Sequence, residues 1–523
     1  MSILREGLSS TGRRAGLIGV ALIMTAGAAM SADIAVPGDV ATIQGAIDIA
    51  QAGDVIVVSP GVYQETLQFG SKAITVRSSD GAGVTTIDAG GIAAFVVRMH
   101  GVSGGEAVLS GFTITGGLGA LGGAHPTGGG IWISNSTARI EGVVVTGNSN
   151  IFGGGLRAEG STVTVIDALF MENEALSGGA VSTAGGNVTI ERTVLENNRA
   201  TNNGGGLAGQ GGHLTLREVE LRENGCGQLG GGLWLNHVNI NGSQMLVESN
   251  GFAEVQSGSI QFDTLAGGGV YTSNTSGRID RSRFISNRGA YGGAFYIAGD
   301  GTLEIVNTVM AGSLAAIGGG VYCNSSSPRI TNCTIVNNPW ALFTTYNASP
   351  VVKNSILSGN SGTGSNEIGG NGLTQVSNSI VNGPIWNTNI GGGVMQIHPM
   401  LDADFAPMAG SPAIDAGDNS AVPSGVTLDL LGNARFVDDP DTADTGIGEG
   451  PIVDLGAIEF GASPATAECA TDMIADGVLD FFDVVAFISM WQAGNPRADL
   501  NGDSQHDIFD VLIYLDMFSN GCP

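Results

Sequence analysis

The stretch Gly230-Gly231-Gly232-Leu233-Trp234-Leu235 contains the motif that decides the fold. Blocks of two or three glycines, each followed by a short apolar run, recur at residues 128–130, 153–155, 178–179, 204–206, 230–232, 267–269, 292–293 and 318–320. Counted from the last glycine of each block, the steps are 25, 24, 27, 26, 37, 24 and 27 residues. A short fixed period means that one structural unit stacks on itself, so the sequence predicts a solenoid.

An asparagine about 18 residues after the glycines is the second landmark of each unit. The series is Asn148, Asn173, Asn197, Asn224, Asn250, Asn287, Asn337 and Asn360, and the coil between the blocks at 292–293 and 318–320 lacks a member. Stretches such as Thr162–Ile166 have strand composition and no helical period. We therefore predict an all-β solenoid, a parallel β-helix of roughly eleven coils. Asparagine and glycine suit its left-handed turns, and stacked asparagines hydrogen-bond from coil to coil.

The step of 37 residues carries an insertion at about residues 251–266. We expect this insertion to leave the coil as a loop. Such loops often form the binding face of a solenoid.

The glycine–apolar blocks and the spaced asparagines resemble those of the right-handed parallel β-helix superfamily, which includes pectate lyases and pectin esterases. The resemblance covers roughly residues 33–400. It implies a right-handed fold, and it leaves the activity open because this superfamily also contains many uncharacterised surface proteins.

Composition and the N-terminus indicate an exported protein. The 523 residues carry a formal net charge of −28 and only two lysines, so nucleic acid is excluded as a partner. Residues 1–32 are predicted to be a signal peptide, with Arg13-Arg14 before the apolar stretch 15–29. The route is either general or twin-arginine export. That stretch is too short to span a bilayer, so we expect a secreted or cell-surface protein without a transmembrane anchor.

Residues 33–70 are predicted to cap the N-terminal end of the solenoid, and residues 71–400 to form its repeats. Ile43, Ala46, Ile47 and Ala50 have the spacing of one face of a helix, and Thr42 suits the N-cap position. Such a helix covers the open strand edge at the end of a β-helix.

Two acidic series appear when the coils are aligned on the asparagines given above. The first is Asp167, Glu191 and Glu218, and the second is Glu172, Glu196 and Glu223. Neighbouring carboxylates either raise a pKa or bind a cation, so the first series supplies the candidate catalytic residues. The alternative is a solvated face on which arginines such as Arg192 neutralise the charge.

An aromatic column follows the glycine blocks. Its members are Trp132, Trp234, Tyr271, Phe295, Tyr296 and Tyr322. Because aromatic side chains bury large areas, we expect a core stripe. Rings that instead point outward would form a surface on which sugars stack.

The repeat decays from about residue 371. Ser411–Asp418 and Val453–Phe460 resemble the two ends of a choice-of-anchor Q module, here residues 401–461, a piece that implies surface display. Several aspartates in this region suit either a polar capping loop or calcium binding; these are Asp415, Asp418, Asp429, Asp438 and Asp439.

Residues 462–468 have the composition of a linker, and residues 469–523 are predicted to be a small α-helical domain with two EF-hand loops. The second loop supplies oxygen ligands at calcium-binding spacing from Asp499, Asn501, Asp503, Gln505, Asp507 and Asp510. The first supplies Asp472, Asp476, Asp480 and Asp483. Ile474 stands at its third position, so we expect weaker Ca²⁺ binding there.

This duplicated domain resembles a dockerin of the short form that ends in Gly-Cys. The resemblance implies calcium-dependent docking onto a cohesin-type receptor. Cys469 and Cys522 bracket the domain and are expected to form a disulfide in an oxidising compartment. Cys323 and Cys333 either pair or remain buried free thiols, and Cys226 is the odd cysteine.

Two functions follow from these features. The first is a surface-displayed scaffold for glycan binding or adhesion, docked through its calcium module. The second is a polysaccharide lyase or glycoside hydrolase of the pectate-lyase-like kind. A cleft with aspartate and arginine side chains on adjacent coils, near the 251–266 loop, would favour the enzyme.

Overall fold

The computed structural model describes residues 33–93, 95–119, 129–251, 254–256, 259–261, 266–360, 366–462 and 481–492, with residues 498, 500, 510, 511, 513–515 and 518. The predicted signal peptide, nearly all of the linker, and Cys469 and Cys522 lie outside the described residues.

The described chain is an all-β, right-handed parallel solenoid whose strands stack into three sheets. Sheet 1 has 27 strands in two adjacent stacks. The first stack comprises Asp33–Val36, Val55–Val58, Thr75–Ser78, Ala107–Ser110, Thr137–Glu141, Thr162–Ile166, Asn187–Glu196, His213–Arg222, Asn239–Ser243, Ser276–Asp280, Leu303–Val306, Arg329–Thr331, Val351–Lys353, Thr374–Ser377 and Thr388–Ile390. The second comprises Gly61–Tyr63, Thr85–Ala93, Thr113–Gly117, Val144–Thr146, Leu169–Met171, Leu246–Glu248, Arg283–Ile285, Val309–Ala311, Thr334–Val336, Ile356–Ser358, Ser379–Asn382 and Val394–Met395.

Sheet 2 follows the glycine blocks and has 12 strands, one from each coil. They are Leu67–Gln68, Val97–His100, Ile131–Ser134, Leu156–Glu159, Val181–Ala184, Leu207–Gln210, Leu233–Asn236, Val270–Ser273, Phe295–Ala298, Val321–Asn324, Leu342–Thr345 and Ile368–Gly370. Sheet 3 has four short strands, Ser149–Phe152, Glu174–Ser177, Arg199–Asn203 and Gly225–Cys226. The solenoid therefore has about twelve coils, one more than the sequence predicts.

The core lies inside the coils, because alternate strand residues point inward. Leu233 and Leu235 are buried, whereas Trp234 between them is only partly buried. The glycine blocks fit where neighbouring coils approach closely. Gly230 has a φ of 69°, and a Cβ at Gly231 would collide with the backbones of Gly251 and Gly268.

A buried ladder of asparagine side chains connects the coils, as predicted. Where two asparagines follow each other in the ladder, the Oδ1 of the later one accepts hydrogen bonds from the backbone N–H and Nδ2 of the one a coil earlier, at 3.0–3.2 Å. The rungs are Asn148, Asn173, Asn198, Asn224, Asn250 and Asn287, and, after a break at Ser313, Asn338 and Asn360. Two members differ from the predicted series: Asn198 and Asn338 replace Asn197 and Asn337.

The ladder ends on a buried carboxylate. Asn360 donates from its backbone N–H to Glu367 Oε1 at 3.2 Å and from Nδ2 to Oε2 at 2.6 Å. Glu367 is 2% exposed, and burial raises its pKa to about 7.

The N-terminal helix is Ile43–Ile49, and Thr42 accepts a hydrogen bond from the Gly45 N–H at 3.1 Å. Thr42 is therefore the N-cap, as predicted. Ile43, Ala46 and Ile47 are buried, and the helix contacts strands Asp33–Val36, Val55–Val58 and Leu67–Gln68.

Residues 401–461, here called the side module, pack along the flank of the last coils. Ala457 and Ile458 lie against Val309, Ala311 and Val336, which are buried although they face away from the solenoid core. Ala413 and Leu455 likewise contact Ile356 and Ile380. Apart from a 3₁₀ turn, Asn419–Ala421, the module is irregular.

The two motifs of the side module meet each other. The Asp415 N–H donates to Asp454 Oδ1 at 2.7 Å, and the Leu455 N–H donates to the Ala413 carbonyl at 2.9 Å. The fully buried Arg435 pairs with Glu459 at 3.4 Å. Burial raises the pKa of Glu459 well above its ordinary value, and the Arg435 charge opposes this shift.

Helix Phe481–Gln492 is the main described element of the C-terminal domain. Phe487 stacks on Tyr514 at a centroid distance of 3.9 Å, and the Leu500 N–H donates to Asp510 Oδ1 at 2.9 Å. Of the predicted calcium ligands, Asp472, Asp476, Asp480, Asp499, Asn501, Asp503, Gln505 and Asp507 lie outside the described residues. Asp483 is described only as part of the helix backbone, so the EF-hand pair stays a prediction.

Candidate functional site

The predicted catalytic column does not form. Ile166 pairs with Glu191, and Glu191 pairs with Arg217, so Glu191 lies one register position away from Asp167 and Glu218. The residue between those two is Arg192, whose guanidinium binds both Asp167 carboxylate oxygens at 2.7 and 3.1 Å. Both side chains are 49% exposed. This arrangement matches the alternative, a solvated face with balanced charges.

The second acidic series is also broken, because Glu196 lies one register position away from Glu172 and Glu223. Glu196 lies on a strand and pairs with Arg222 at 3.2 Å. The turn position beside Glu172 and Glu223 is occupied by Asn197, and all three have left-handed φ values of 52–54°. Glu172, Asn197 and Glu223 are exposed, and each comes directly before a buried rung of the asparagine ladder.

These turn residues line a groove with a volume of ≈ 630 Å³ on the outside of the solenoid. Its lining comprises Glu172, Glu174, Asn197, Arg199, Glu223, Gly225, Ser249, Gly251 and Arg288. The lining residues lie on the coils of five consecutive ladder asparagines, from Asn173 to Asn287. At about 4.8 Å per coil, the groove extends for roughly 19 Å along the solenoid axis.

The predicted insertion begins at one end of this groove. Beyond Gly251 the chain forms an antiparallel hairpin, Glu254–Gln256 with Ser259–Gln261, separate from the three coil sheets. The insertion therefore leaves the coil as expected, and it does so at a groove residue.

Backbone hydrogen bonds between coils hold the groove turn residues in place. The N–H groups of Glu172, Asn197 and Glu223 donate to carbonyls of the next coil at 3.1–3.3 Å. A left-handed conformation costs a residue with a Cβ about 1–2 kcal/mol, and glycine avoids that cost. Gly147 and Gly312 occupy the same turn position in coils outside the groove. The groove coils thus carry side chains at a turn position that is glycine in three other coils, at Gly147, Gly312 and Gly359, and asparagine in a fourth, at Asn337.

The groove carboxylates form no salt bridge among the described residues. Within the described ranges, Glu172, Glu174 and Glu223 have no basic side chain within 4.0 Å. A second groove of ≈ 610 Å³ is different, because two of its lining residues, Arg278 and Glu304, bind each other at 2.9 Å. The carboxylates of the first groove, unlike Glu304 in the second, are therefore not held in a salt bridge to a described residue.

The aromatic column lies on the outer face of sheet 2, so the predicted core stripe is wrong except for Phe295, which is fully buried in the core. Tyr322 is on the outer face but is only 8% exposed. Tyr271 stacks on Tyr296 at 5.1 Å, and Tyr296 on Tyr322 at 4.9 Å. Their interplanar angles are 12–14°. Stacked rings cover one another's faces, so the stack stabilises the sheet more than it offers flat surfaces to sugars.

Cys226, Cys323 and Cys333 are free and buried. Cys323 and Cys333 are therefore free thiols and do not form a disulfide with each other. Burial raises the pKa of each thiol to about 12. Reactive cysteines instead have lowered pKa values and partial exposure, so these three thiols are structural.

The described residues form a parallel β-helix with a polar groove on its outer surface. Comparisons with known proteins add little to this description. No protein-family model and no curated protein matches the sequence. Similar solved structures include the Siphovirus 9NA tailspike receptor binding domain, at 11% identity over 70% of this chain and 76% of that chain, with a TM-score of 0.33. Pectate lyase Pel9A has 13% identity over 83% of this chain and 97% of that chain, with a TM-score of 0.32. Likenesses this low carry no information about activity, and the fold assignment rests on the strand pairings. No helix among the described residues is long and apolar enough to cross a membrane.

Proposed function

We propose that this protein is an exported β-helix scaffold that binds polysaccharide in the groove between Glu172 and Arg288. The observation that carries the proposal is the groove lining over five coils, which brings the carboxylates of Glu172, Glu174 and Glu223 to one surface. An extended polymer suits a site that is long and open, whereas a compact small molecule favours a closed pocket.

The charges of the groove narrow the class of polymer. Carboxylates accept hydrogen bonds from sugar hydroxyls, and the guanidinium groups of Arg199 and Arg288 donate them. The net charge of −28 repels polyanions unless Ca²⁺ bridges the like charges. We therefore expect a neutral polysaccharide, or an acidic one that binds only with calcium.

A second candidate is cleavage of the bound polymer. Glu172, Glu174 and Glu223 lie with Arg199 and Arg288 on neighbouring coils beside the insertion. This lining resembles the cleft of aspartate and arginine that would favour an enzyme, with glutamates in place of aspartates. Carboxylates that flank a glycosidic bond supply general acid and base. Binding remains the first proposal, because a groove that orients a polymer needs only the observed side chains.

The C-terminal domain is proposed to dock the scaffold onto a cohesin-type receptor in the presence of Ca²⁺. Support comes from the ligand spacing of residues 499–510, from helix Phe481–Gln492, and from the hydrogen bond between Asp510 and Leu500. Retention on an immobilised cohesin-type module in Ca²⁺, and release by a chelator, would support this part. Equal retention in both conditions would contradict it.

The groove is tested by incubating the mature protein with neutral and acidic polysaccharides, with Ca²⁺ or a chelator, and measuring retention and new oligosaccharides. The variants are Glu172→Gln and Glu223→Gln, which keep the side-chain size. Glu106→Gln is the matched control, because Glu106 is exposed and outside the groove. Retention lost in the groove variants alone supports binding. Oligosaccharides from the wild type alone establish cleavage. If no polymer is either retained or cleaved, the proposal is overturned.

A further inference from the structure

A compact acidic cluster lies in the side module, away from the groove. Asp415, Asp438 and Asp444 each place one carboxylate oxygen within 4.8 Å of the oxygens of the other two. Asp438 and Asp444 are exposed, and Asp415 is buried. They come from two segments of the module, because Asp415 belongs to the Ser411–Asp418 motif and the other two lie within residues 438–446.

Asp415 is an unusual residue to bury. Its side chain is 0% exposed, and its Oδ1 has no hydrogen-bond partner among the described residues. Oδ2 accepts only a long hydrogen bond of 3.3 Å from the Asp439 N–H. Burying a carboxylate oxygen without a hydrogen-bond partner is destabilising, and a cation beside the oxygen would offset that cost.

Among the described residues, no basic side chain forms a salt bridge with Asp415. Arg435, the basic residue of the neighbouring Asp454–Glu459 network, is committed to Glu459 and to the Asp454 carbonyl. The other carboxylates near Asp415 add repulsion. Burial, followed by the charges of Asp444, Asp438 and Asp439, raises the pKa of Asp415 to about 6.

We propose that Asp415, Asp438 and Asp444 form a Ca²⁺ site that fastens residues 438–446 to the buried turn at Asp415. Ca²⁺ takes oxygen ligands at about 2.3–2.6 Å, so two ligands on opposite sides of the ion lie at most roughly 5 Å apart. The exposed side of the cluster leaves room for water to complete the coordination. Zn²⁺ is disfavoured because the cluster contains no nitrogen or sulfur ligand.

The backbone already places the two segments together. The Asp415 carbonyl accepts hydrogen bonds from the N–H groups of Thr445 at 2.9 Å and Gly446 at 3.0 Å. The turn itself is strained, with a φ of 50° at Asp415. An ion on the side-chain side would stabilise the same junction from the other direction.

The test is a calcium titration of the full mature chain by calorimetry, which counts the bound ions. The variant is Asp438→Asn with Asp444→Asn, at exposed positions that do not threaten folding. The control is Asp441→Asn, an exposed aspartate of the same segment outside the cluster. We expect the variant to bind one Ca²⁺ fewer than both the wild type and the control. The predicted EF-hand loops, intact in all three proteins, contribute equally and cancel in the comparison.

Thermal unfolding gives an independent readout. Added Ca²⁺ should raise the Tm of the β-helix transition less in the double variant than in the control, because a ligand stabilises only the folded state that binds it. Asp415→Asn, which removes the buried charge, should behave like the double variant. Equal stoichiometry and equal Tm shifts in wild type, variants and control would overturn the proposal.

Discussion

Replacing Asn224 with alanine removes one rung of the asparagine ladder. Asn224 is fully buried, and its Oδ1 accepts from the Asn198 N–H and Nδ2, each at 3.0 Å. Its Nδ2 donates to Asn250 Oδ1 at 3.0 Å and to the Leu195 carbonyl at 2.8 Å. Four hydrogen bonds therefore depend on this one side chain.

The lost free energy comes mainly from groups left without partners. Asn198 Nδ2 still donates to the Phe170 and Glu196 carbonyls, and Asn250 Oδ1 still accepts from the Asn224 N–H. The Asn198 N–H loses its acceptor. An unsatisfied buried group costs about 1–3 kcal/mol, and the other lost bonds add to this, so the variant should be less stable by roughly 2–5 kcal/mol.

Hydrogen exchange measures this loss where it occurs, because a solenoid coil interacts mainly with its neighbours. A local loss of about 3 kcal/mol speeds exchange roughly 100-fold in the coils around residues 195–225. The control is Asn241→Ala, at an exposed strand position with no observed side-chain hydrogen bond among the described residues. If Asn224→Ala exchanges and melts like the control, the ladder does not stabilise the solenoid.

Other variants test neighbouring parts of the fold and the groove. Ser313→Asn should fill the break in the ladder, stabilise the fold by about 1 kcal/mol and so raise the Tm of thermal unfolding. A lower Tm would contradict this. Gly231→Ala should prevent proper stacking and cost at least roughly 3 kcal/mol in denaturant unfolding, while an unchanged midpoint would show that the coils can move apart. Glu223→Gly should keep or slightly raise the Tm, because it relieves a left-handed turn, and yet weaken polysaccharide retention; a variant with full retention would remove Glu223 from the site. The pKa of Glu367 is raised from 4.5 to about 7, so its contribution to stability is present below pH 4.5 and is lost as pH rises to about 7. Glu367→Gln should therefore gain about 3 kcal/mol relative to wild type between pH 4.5 and 8, and parallel pH profiles of the two Tm values would contradict the raised pKa.

The repeat predicts the solenoid because its glycines and asparagines serve contacts between coils that are alike in every coil. The period, the N-terminal helix with Thr42 at its N-cap, the ladder and its break at Ser313 all follow from local pattern. The looping out of the insertion after Gly251 follows from one irregular step.

One residue explains why the predicted acidic columns fail. Ala180 occupies the third position of a glycine block, so counting from the last glycine misplaces that coil's asparagine by one, at Asn197 instead of Asn198. Every residue aligned through that coil then shifts, and Arg192 takes the position assigned to Glu191. Asking which residue fills the third block position would have corrected the register.

The side module shows a different limit of sequence reasoning. The strands Val309–Ala311 and Ile356–Ser358 carry apolar residues toward both faces, which indicates a covering layer but does not identify it. The covering residues lie about 100 to 150 positions further along the chain, for example Leu455 and Ile458. Contacts of this range leave no periodic trace, so the meeting of Asp415 with Asp438 and Asp444 is visible only in three dimensions.

Carboxyl footprinting tests the groove most directly. A carbodiimide labels exposed carboxylates, and mass spectrometry compares the labelling of the mature protein with and without the polysaccharide that it retains best. If the groove binds this polymer, labelling of Glu172, Glu174 and Glu223 falls while labelling of the exposed Glu106 is unchanged. Protection elsewhere, with these three carboxylates labelled as in the free protein, would contradict the groove as the binding site.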